Sequence, residues 1–204
     1  RFQGLHLQNG QSNAALYQSE SLLFNVNEQK KDVVEYNQRS VTNFLLSGEH
    51  FFSDGKLNVS WKASPTFNVN KDKDVRYTPY RIDEGVFSIQ PSETGDPVRI
   101  WRDLKELSYV GRVDLKYNSK FLDRPLVLKA GTFATYKERD YFIANFALQF
   151  RGRVADIETG NPDLLLQDYN IWDAESGFGS YYRNDSGNIN EFNSNQTIIA
   201  NYFS

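Results

Sequence analysis

Strict alternation of apolar and polar residues runs through one stretch of the chain, Leu57-Asn58-Val59-Ser60-Trp61-Lys62-Ala63-Ser64-Pro65-Thr66-Phe67. Successive side chains of a β-strand point to opposite faces, so this pattern predicts a strand with one apolar face and one polar face. A strand of this kind lies at the boundary between two media. The stretch therefore favours β-structure that meets an apolar environment on one side and water on the other.

The same alternation returns elsewhere in the chain. Residues 107–117 and 126–136 repeat it, and a weaker run covers residues 42–52. A fifth apolar run lies at residues 198–203. We therefore predict an all-β chain with about five long antiparallel strands.

Strand length separates two kinds of β-protein. The run from Leu126 to Phe150 has no Gly or Pro break beyond Gly131, and at about 3.3 Å per residue it extends for roughly 80 Å. Strands of soluble sandwiches usually have about 3–10 residues. A tilted strand that crosses a membrane and continues above it accounts for the greater length.

The predicted connections alternate between short and long. Residues 53–56 and 120–125 form short turns, whereas residues 71–105 and 151–196 form long excursions. In an up-and-down arrangement the short turns then lie at one end of the strands and the long loops at the other. This asymmetry is typical of outer-membrane β-barrels, whose long loops are extracellular.

Aromatic residues are predicted to fall at two levels. Phe67 and Tyr136 each lie ten residues from the start of their runs, and Tyr109 on the descending strand comes near the same level. A second set lies beside the short turns: Phe52, Tyr117 and Phe121. At a tilt near 40° the two levels are about 25 Å apart, which matches the aromatic girdles of a membrane barrel.

Composition excludes several classes of protein. The chain has no cysteine, which excludes disulfides and thiolate metal sites. Its net charge of −3 argues against nucleic-acid binding, and no stretch approaches the roughly 20 apolar residues of a membrane-spanning helix. Aromatic residues make up 15% of a chain whose mean hydropathy is −0.61. That combination fits both a barrel and a soluble carbohydrate-binding sandwich.

No catalytic or cofactor motif is evident. The two histidines, His6 and His50, stand in no metal-binding or nucleophile pattern. An acidic group in the last long loop lacks the ligand spacing of a calcium loop and is interpreted as solvated: Asp163, Asp168, Asn170, Asp173 and Glu175. We therefore expect no enzyme activity, no cofactor and no bound metal.

The long loops carry aromatic rings beside polar and charged groups. Such rings stack on sugars or pack against peptides, although a long ordered loop also needs rings for its own small core. Both interpretations stay open. The candidate substrate contacts are Trp101, Arg102, Tyr169, Trp172, Tyr181 and Tyr182.

Four segments resemble TonB-dependent receptors, in particular the group with an N-terminal carboxypeptidase-regulatory-like domain and a plug. The segments are KDKDVRYTPYR at residues 71–81, PSETGDP at 91–97, RIWRDL at 99–104 and LKAGTFATYKERD at 128–140. The resemblance covers roughly residues 36–150. It implies a bacterial outer-membrane barrel of 22 strands with an internal plug.

The resemblance also implies a function and partners. These are import of a nutrient (a glycan, a peptide or a chelate), energy from the TonB–ExbB–ExbD complex, contact with outer-membrane lipids and, in some members, a capping surface lipoprotein. Five strands cannot close a barrel, whose smallest forms have eight. We therefore expect residues 1–204 to be part of one barrel domain, with the plug outside this segment.

Two alternatives from other classes remain at this point. The chain could belong to a non-transporting outer-membrane barrel that serves as a scaffold in a surface assembly. It could also be the soluble carbohydrate-binding β-sandwich named above.

Overall fold

Long alternating strands build one antiparallel sheet in the computed structural model of the chain. The structure describes residues 1–21, 27–152, 161, 163–164, 167–187 and 190–204. The strands are β1 (Phe2–Ser21), β2 (Asn27–Phe52), β3 (Leu57–Asp83), β4 (Val86–Ser88), β5 (Val98–Phe121), β6 (Arg124–Arg151), β7 (Gly179–Asn184) and β8 (Glu191–Phe203). A one-turn helix α1 (Pro91–Thr94) and a 3-10 turn (Asp168–Asn170) complete the described elements.

The strand order is β1-β2-β3-β5-β6, and both β7 and β8 pair with the far edge of β6. β7 pairs with residues 146–151 and β8 with residues 130–142, while the short β4 pairs with the end of β3. The predicted all-β, antiparallel class is confirmed. Five of the strands have 20 to 28 residues, and β1 among them was not predicted.

The register brings the predicted apolar faces to one side of the sheet. Trp61 pairs with Val113, and Val113 pairs with Thr132. We call this side the apolar face; near the short turns it carries Phe44, Leu46, Phe52, Leu57, Val59, Trp61, Ala63, Pro65, Phe67, Leu107, Tyr109, Val113, Leu115, Tyr117, Leu126, Leu128, Ala130, Tyr136 and Ile199. The other side, the polar face, carries Asn43, Ser60, Lys62, Thr66, Arg112, Asp114, Lys116, Lys129 and Lys137.

The aromatic residues meet at two levels, as predicted. Tyr109 pairs directly with Tyr136, and its partner on β3 is Pro65, two residues from Phe67. At the other level Leu57 pairs with both Phe52 and Tyr117. Two rows of rings therefore bound the alternating part of the sheet.

The two short turns lie at one end of the sheet, as predicted. Ser53 and Asp54 adopt φ of 54° and 51°, and Leu122 and Asp123 adopt φ of 49° and 58°. Left-handed conformations at both central residues are characteristic of hairpin turns whose twist matches that of the strands. The second turn is shorter than the predicted 120–125 because β5 continues to Phe121.

The two long excursions were predicted too long. β3 continues to Asp83 and β5 begins at Val98, so the first connection is 84–97 rather than 71–105. The second, predicted as 151–196, contains β7 and ends where β8 begins at Glu191. Charged residues interrupt the apolar–polar alternation in these additional parts of the strands, so the sequence pattern did not predict them. In the structure, ion pairs between neighbouring strands stabilise the charged side chains.

A β-bulge at Asp74 changes the side on which β3 presents its residues. The pairing of β3 with β5 shifts between Asp72 and Val75, and Asp74 has φ 58°. A bulge adds one residue to one strand and so reverses the alternation beyond it. Odd-numbered residues of β3 therefore lie on the apolar face before Asp74, whereas even-numbered ones such as Tyr80 do so after it.

Burial divides the sheet into two halves. We call residues 1–7, 41–68, 106–139 and 194–204 the turn-proximal half, and the remaining described residues the loop-proximal half. No residue of the turn-proximal half is buried. The loop-proximal half has a small core of Tyr80, Ile89 and Leu148, against which Phe87 and Phe150 pack. Among the described residues, no helix has the length and apolar character to cross a membrane.

Glycines let large rings lie flat on the sheet at two places. A Cβ on Gly48 would come within 2.5 Å of Trp61 Nε1 on the directly paired strand. A Cβ on Gly131 would collide with the ring of Tyr202, which pairs with it across β6 and β8. Ring-over-glycine pairs of this kind help to fix the register of neighbouring strands.

Candidate functional site

The predicted contact residues all lie in the loop-proximal half, where the structure places four of them in two clusters and leaves Tyr169 and Arg102 outside both. Trp101 and Tyr182 share Arg99 as a neighbour, whereas Trp172 and Tyr181 share Arg151. Adjacent residues of a strand point to opposite faces. Tyr181 and Tyr182 therefore belong to different sides of the sheet, so the six candidate contacts do not form one continuous surface.

The first group, the Arg99 cluster, lies on the apolar-face side. The Arg99 guanidinium stacks 5.2 Å from the Trp101 ring centroid and 6.0 Å from that of Tyr182. Its Nε donates to Asp74 Oδ1 at 2.6 Å and a second nitrogen donates to Asp74 Oδ2 at 2.5 Å. Arg76 Nε also donates to Asp74 Oδ2, at 2.8 Å. One carboxylate thus holds two guanidinium groups.

The bulge is what makes this arrangement possible. It places the Asp74 carboxylate between Arg76, two residues further along β3, and Arg99 on β5, whose register partner is Arg76. The cluster borders a cavity of about 80 Å³ that is also lined by Thr78 and Asp163. This volume fits a few water molecules or a small polar group.

Electrostatics keep the central carboxylate ionised. Partial burial alone would raise the pKa of Asp74, but hydrogen bonds from Arg99 and Arg76 outweigh burial and hold its pKa below the ordinary range. The Arg99 side chain is 30% exposed and that of Arg76 is 52% exposed. Both guanidiniums therefore retain contact with solvent on the side away from Asp74.

The second group, the Arg151 cluster, lies at the end of β6 on the polar-face side. The Arg151 guanidinium is 5.6 Å from the Trp172 ring centroid and 5.7 Å from that of Tyr181. The two rings are 6.5 Å apart at an interplanar angle of 60°. Trp172 is 37% exposed, so part of its ring is accessible to a ligand.

Hydrogen bonds within the last loop position Trp172. Its backbone N–H donates to Ser180 O at 2.8 Å, and Ser180 Oγ donates to Asn170 O at 3.0 Å. The buried Asn170 side chain donates to Leu164 O at 2.8 Å. Tyr169, the remaining predicted contact in this loop, is 66% exposed beside this scaffold.

Within the acidic group of this loop, Asp173 stabilises a turn of the backbone. Asp173 accepts hydrogen bonds from the backbone N–H groups of Glu175 and Ser176, at 2.9 and 3.0 Å. These bonds lower the pKa of the Asp173 carboxyl. In the part of the chain that the structure describes, no group of three or more His, Cys, Asp or Glu side chains is arranged to hold a metal ion.

The last predicted contact, Arg102, belongs to neither cluster. It lies on the polar face, where its Nε is 2.7 Å from Asp72 Oδ2. Asp72 also accepts a hydrogen bond from Asn37, which donates to Asn70 at 2.8 Å. Arg102 is thus part of a polar network that runs across three strands.

Neither a scan against models of protein families nor a search of curated proteins finds a match for this chain.

Sequence reasoning missed the charged residues that organise both clusters. Asp74, Arg76, Arg99 and Arg151 were not among the candidates. The i, i+2 spacing of Arg99 and Trp101 was a usable signal, because residues two apart on a strand share a face. No local signal pointed to Asp74, since its role depends on a bulge at a residue other than glycine.

Proposed function

We propose that the chain is a segment of the barrel wall of a TonB-dependent outer-membrane transporter that imports a glycan, a peptide or a chelate. One observation carries the proposal. On the apolar face of the turn-proximal half every side chain is partly or fully exposed, the opposite face is predominantly polar, and no residue of this half is buried. In water such a face promotes aggregation, whereas in the outer membrane it is the surface that meets lipid.

The dimensions support this placement. Leu57 and Phe67 are ten residues apart, which is about 33 Å along a strand and about 25 Å of height at a tilt near 40°. That height matches the apolar band of an outer-membrane barrel. The two rows of aromatic rings then lie where the apolar band meets the headgroups, which is the usual place of aromatic girdles.

A soluble carbohydrate-binding sandwich is less well supported. A sandwich covers the apolar side of each sheet with a second sheet about 10 Å away. The described strands all belong to one sheet. A non-transporting scaffold barrel would have the same wall as a transporter. The two alternatives differ only in whether the protein transports a substrate.

In this proposal the loop-proximal half stands outside the membrane and contributes to substrate binding. The Arg151 cluster is the better candidate contact, because it lies on the polar-face side, which lines the interior of a barrel. Energy comes from the TonB–ExbB–ExbD complex, and a surface lipoprotein is a candidate cap. Binding and transport involve no covalent chemistry.

The first experiment tests whether the turn-proximal half forms part of the barrel wall. In the full-length protein, Val59→Lys places a charge on the lipid side and should cost about 2–4 kcal/mol near the bilayer midplane. Ser60→Lys is the matched control, because its side chain points to the water-filled interior. Heat-modifiable gel mobility in outer membranes should show loss of folded barrel for Val59→Lys alone. Equal folding of both variants would remove the wall assignment.

The second experiment tests transport. Uptake of the cognate nutrient is compared, at matched outer-membrane abundance, between the unaltered protein, Trp172→Ala and a strain that lacks TonB. We expect uptake to be lost without TonB and to fall about fivefold or more in Trp172→Ala, since stacking on a ring contributes about 1–3 kcal/mol. Undiminished uptake without TonB would favour a passive pore or a scaffold.

A further inference from the structure

Cationic side chains are concentrated on the polar face of the turn-proximal half. The strand register places the following cations on this face: Lys62, Arg112, Lys116, Lys120, Lys129, Lys137 and Arg139. The carboxylates of the same face are Glu49, Glu106 and Asp114. On its described strands, the apolar face of this half carries one arginine and one carboxylate, Arg124 and Glu138. The whole chain has a net charge of −3, so the excess of cations belongs to this one surface.

Two pairs of these cations lie directly opposite each other on neighbouring strands. Lys62 pairs with Arg112 between β3 and β5, and Lys116 pairs with Lys129 between β5 and β6. Like charges that are directly opposite destabilise a sheet. Water alone over this face leaves both repulsions in place, whereas an anionic ligand relieves them.

Two carboxylates lie among these pairs and are already hydrogen-bonded. Asp114 accepts two hydrogen bonds from Arg112, at 2.7 and 2.9 Å, and one from the Tyr202 hydroxyl at 2.7 Å. Glu49 accepts a hydrogen bond from the Asn58 amide at 2.6 Å. Among the described residues, Arg112 is therefore the one member of the two opposed pairs that has a counter-ion.

The other three members of the pairs carry uncompensated charge, and we call them the polar-face lysines: Lys62, Lys116 and Lys129. All three are exposed, and none forms an ion pair with a described residue. Further from the short turns the charges are more closely balanced, because Glu106 forms ion pairs with both Lys137 and Arg139. The excess of positive charge is therefore concentrated near the short turns.

We propose that the transported substrate is anionic and that the polar-face lysines bind its carboxylate, phosphate or sulfate groups as it passes this face. The inference rests on the proposed transport function and names a substrate class for it. The two opposed pairs are four residues apart along β5, which is about 13 Å. An extended chain with several negative groups can therefore contact both pairs at once.

Charge complementarity along the whole face favours the substrate as the occupant. The polar face also carries the Arg151 cluster, in which Arg151 is exposed and forms no ion pair with a described residue. Cationic side chains that line a pore select anions, and a cleft of one charge sign concentrates solutes of the opposite sign. An anionic substrate meets unpaired cations at both ends of this face. An acidic segment of the protein itself, bound near the short turns, accounts for the cations at one end only.

The test uses the full-length protein in detergent and hexaglutamate, a linear polyanion, labelled with an uncharged dye. Fluorescence anisotropy compares the unaltered protein with the triple variant Lys62→Gln, Lys116→Gln, Lys129→Gln and with a control that loses the same charge on the apolar-face side, Lys71→Gln, Lys73→Gln, Lys105→Gln. The first variant should bind hexaglutamate on the order of tenfold more weakly, the effect expected for the loss of three exposed charge pairs. The control should bind it as the unaltered protein does. Labelled hexaglutamine, which has the same length and no charge, should bind equally to all three proteins.

Several outcomes would overturn the substrate class. Equal hexaglutamate binding by all three proteins, or none, would do so and leave the transport proposal standing. Unchanged binding together with a lower melting temperature of the first variant would show that its lysines contact an acidic part of the protein itself. Displacement of hexaglutamate by low millimolar inorganic phosphate would assign the site to small free anions. Uptake that does not depend on TonB, with the tenfold difference in binding retained, would instead overturn the transport proposal and leave anion binding by these lysines standing.

Discussion

The two halves of the sheet are built from the same strands and differ in how their apolar side chains are covered. In the turn-proximal half, Phe67, Tyr109 and Leu115 are 41 to 47% exposed. In the loop-proximal half, Tyr80 and Leu148 are 0% and 5% exposed under β4 and its connection. The loop-proximal half therefore supplies its own core, whereas no residue of the turn-proximal half is buried.

The bulge at Asp74 lies between the part of β3 that belongs to the apolar face of the turn-proximal half and the part that contributes Tyr80 to the core of the loop-proximal half. Before the bulge, β3 presents a partly exposed apolar row; after it, the reversed alternation turns Tyr80 toward Leu148. Because of this single extra residue, one continuous strand contributes apolar side chains both to the apolar face and to the core of the loop-proximal half. The comparison predicts that equal changes in the two halves will have unequal effects.

The largest difference is expected for removal of apolar side chains. Leu148→Ala should destabilise the loop-proximal core by about 2–5 kcal/mol, because it leaves a cavity among packed groups. Leu115→Ala, at an exposed position, should have little effect if lipid fills the space. Hydrogen exchange of the amides in β4 and at the end of β6 is the measurement. Faster exchange with Leu115→Ala than with Leu148→Ala would contradict the comparison.

A milder variant in the same core is the control for that measurement. Tyr80→Phe keeps the ring, which packs edge-to-face against Phe87 at 6.1 Å, and removes a buried hydroxyl that has no hydrogen-bond partner among the described residues. Its loss should change stability by no more than about 1 kcal/mol, and in the stabilising direction. Strong destabilisation by Tyr80→Phe would show that the hydroxyl has a partner.

An intermediate effect is expected at the bulge. Asp74→Asn leaves Arg76 and Arg99 facing each other without a counter-ion and should cost about 1–3 kcal/mol. Faster exchange of the β5 amides near Val98 is the expected result. Unchanged exchange would show that the ion pairs contribute no net stability.

The pH dependence of that site follows from its lowered pKa. A carboxyl whose folded-state pKa is depressed contributes fully above its unfolded pKa and loses its contribution as the pH falls through the folded value. Protection near Asp74 should therefore decline only below about pH 3.8, the ordinary value for Asp. The Asp74→Asn variant should show no decline of this origin.

The faces and turns could be predicted because they depend on local pattern. Alternation in residues 57–67 and 107–117 fixed which side chains share a face, and the short turns followed from Asp-Gly and Asp-Arg-Pro sequences. β1 was missed because its pattern is mixed: Leu5 and Leu7 lie on the polar face and are 52% and 56% exposed. Its conformation depends on pairing with β2, which no local signal reports.

The candidate site could be predicted only in part. Aromatic and arginine side chains in the loop-proximal half were identified, but their grouping required the extent of the strands. Once β5 and β7 are known to include residues 101–102 and 181–182, period two alone places the members of each pair on opposite faces. The ion pair of Asp74 with Arg99 joins residues of two strands that are 25 residues apart in sequence, so the local sequence pattern could not predict it.

The most direct test of the central claim is a spin-label scan along β3. Residues 1–204 contain no cysteine, so single cysteines introduced from residue 57 to residue 82 of the full-length protein are labelled without background from this segment. In outer membranes, odd positions from 57 to 67 should be accessible to oxygen dissolved in lipid and even positions to a water-soluble nickel chelate. Beyond Asp74 the phase should reverse and the oxygen signal should fall. A nickel signal of equal strength at odd and even positions from 57 to 67 would contradict the account.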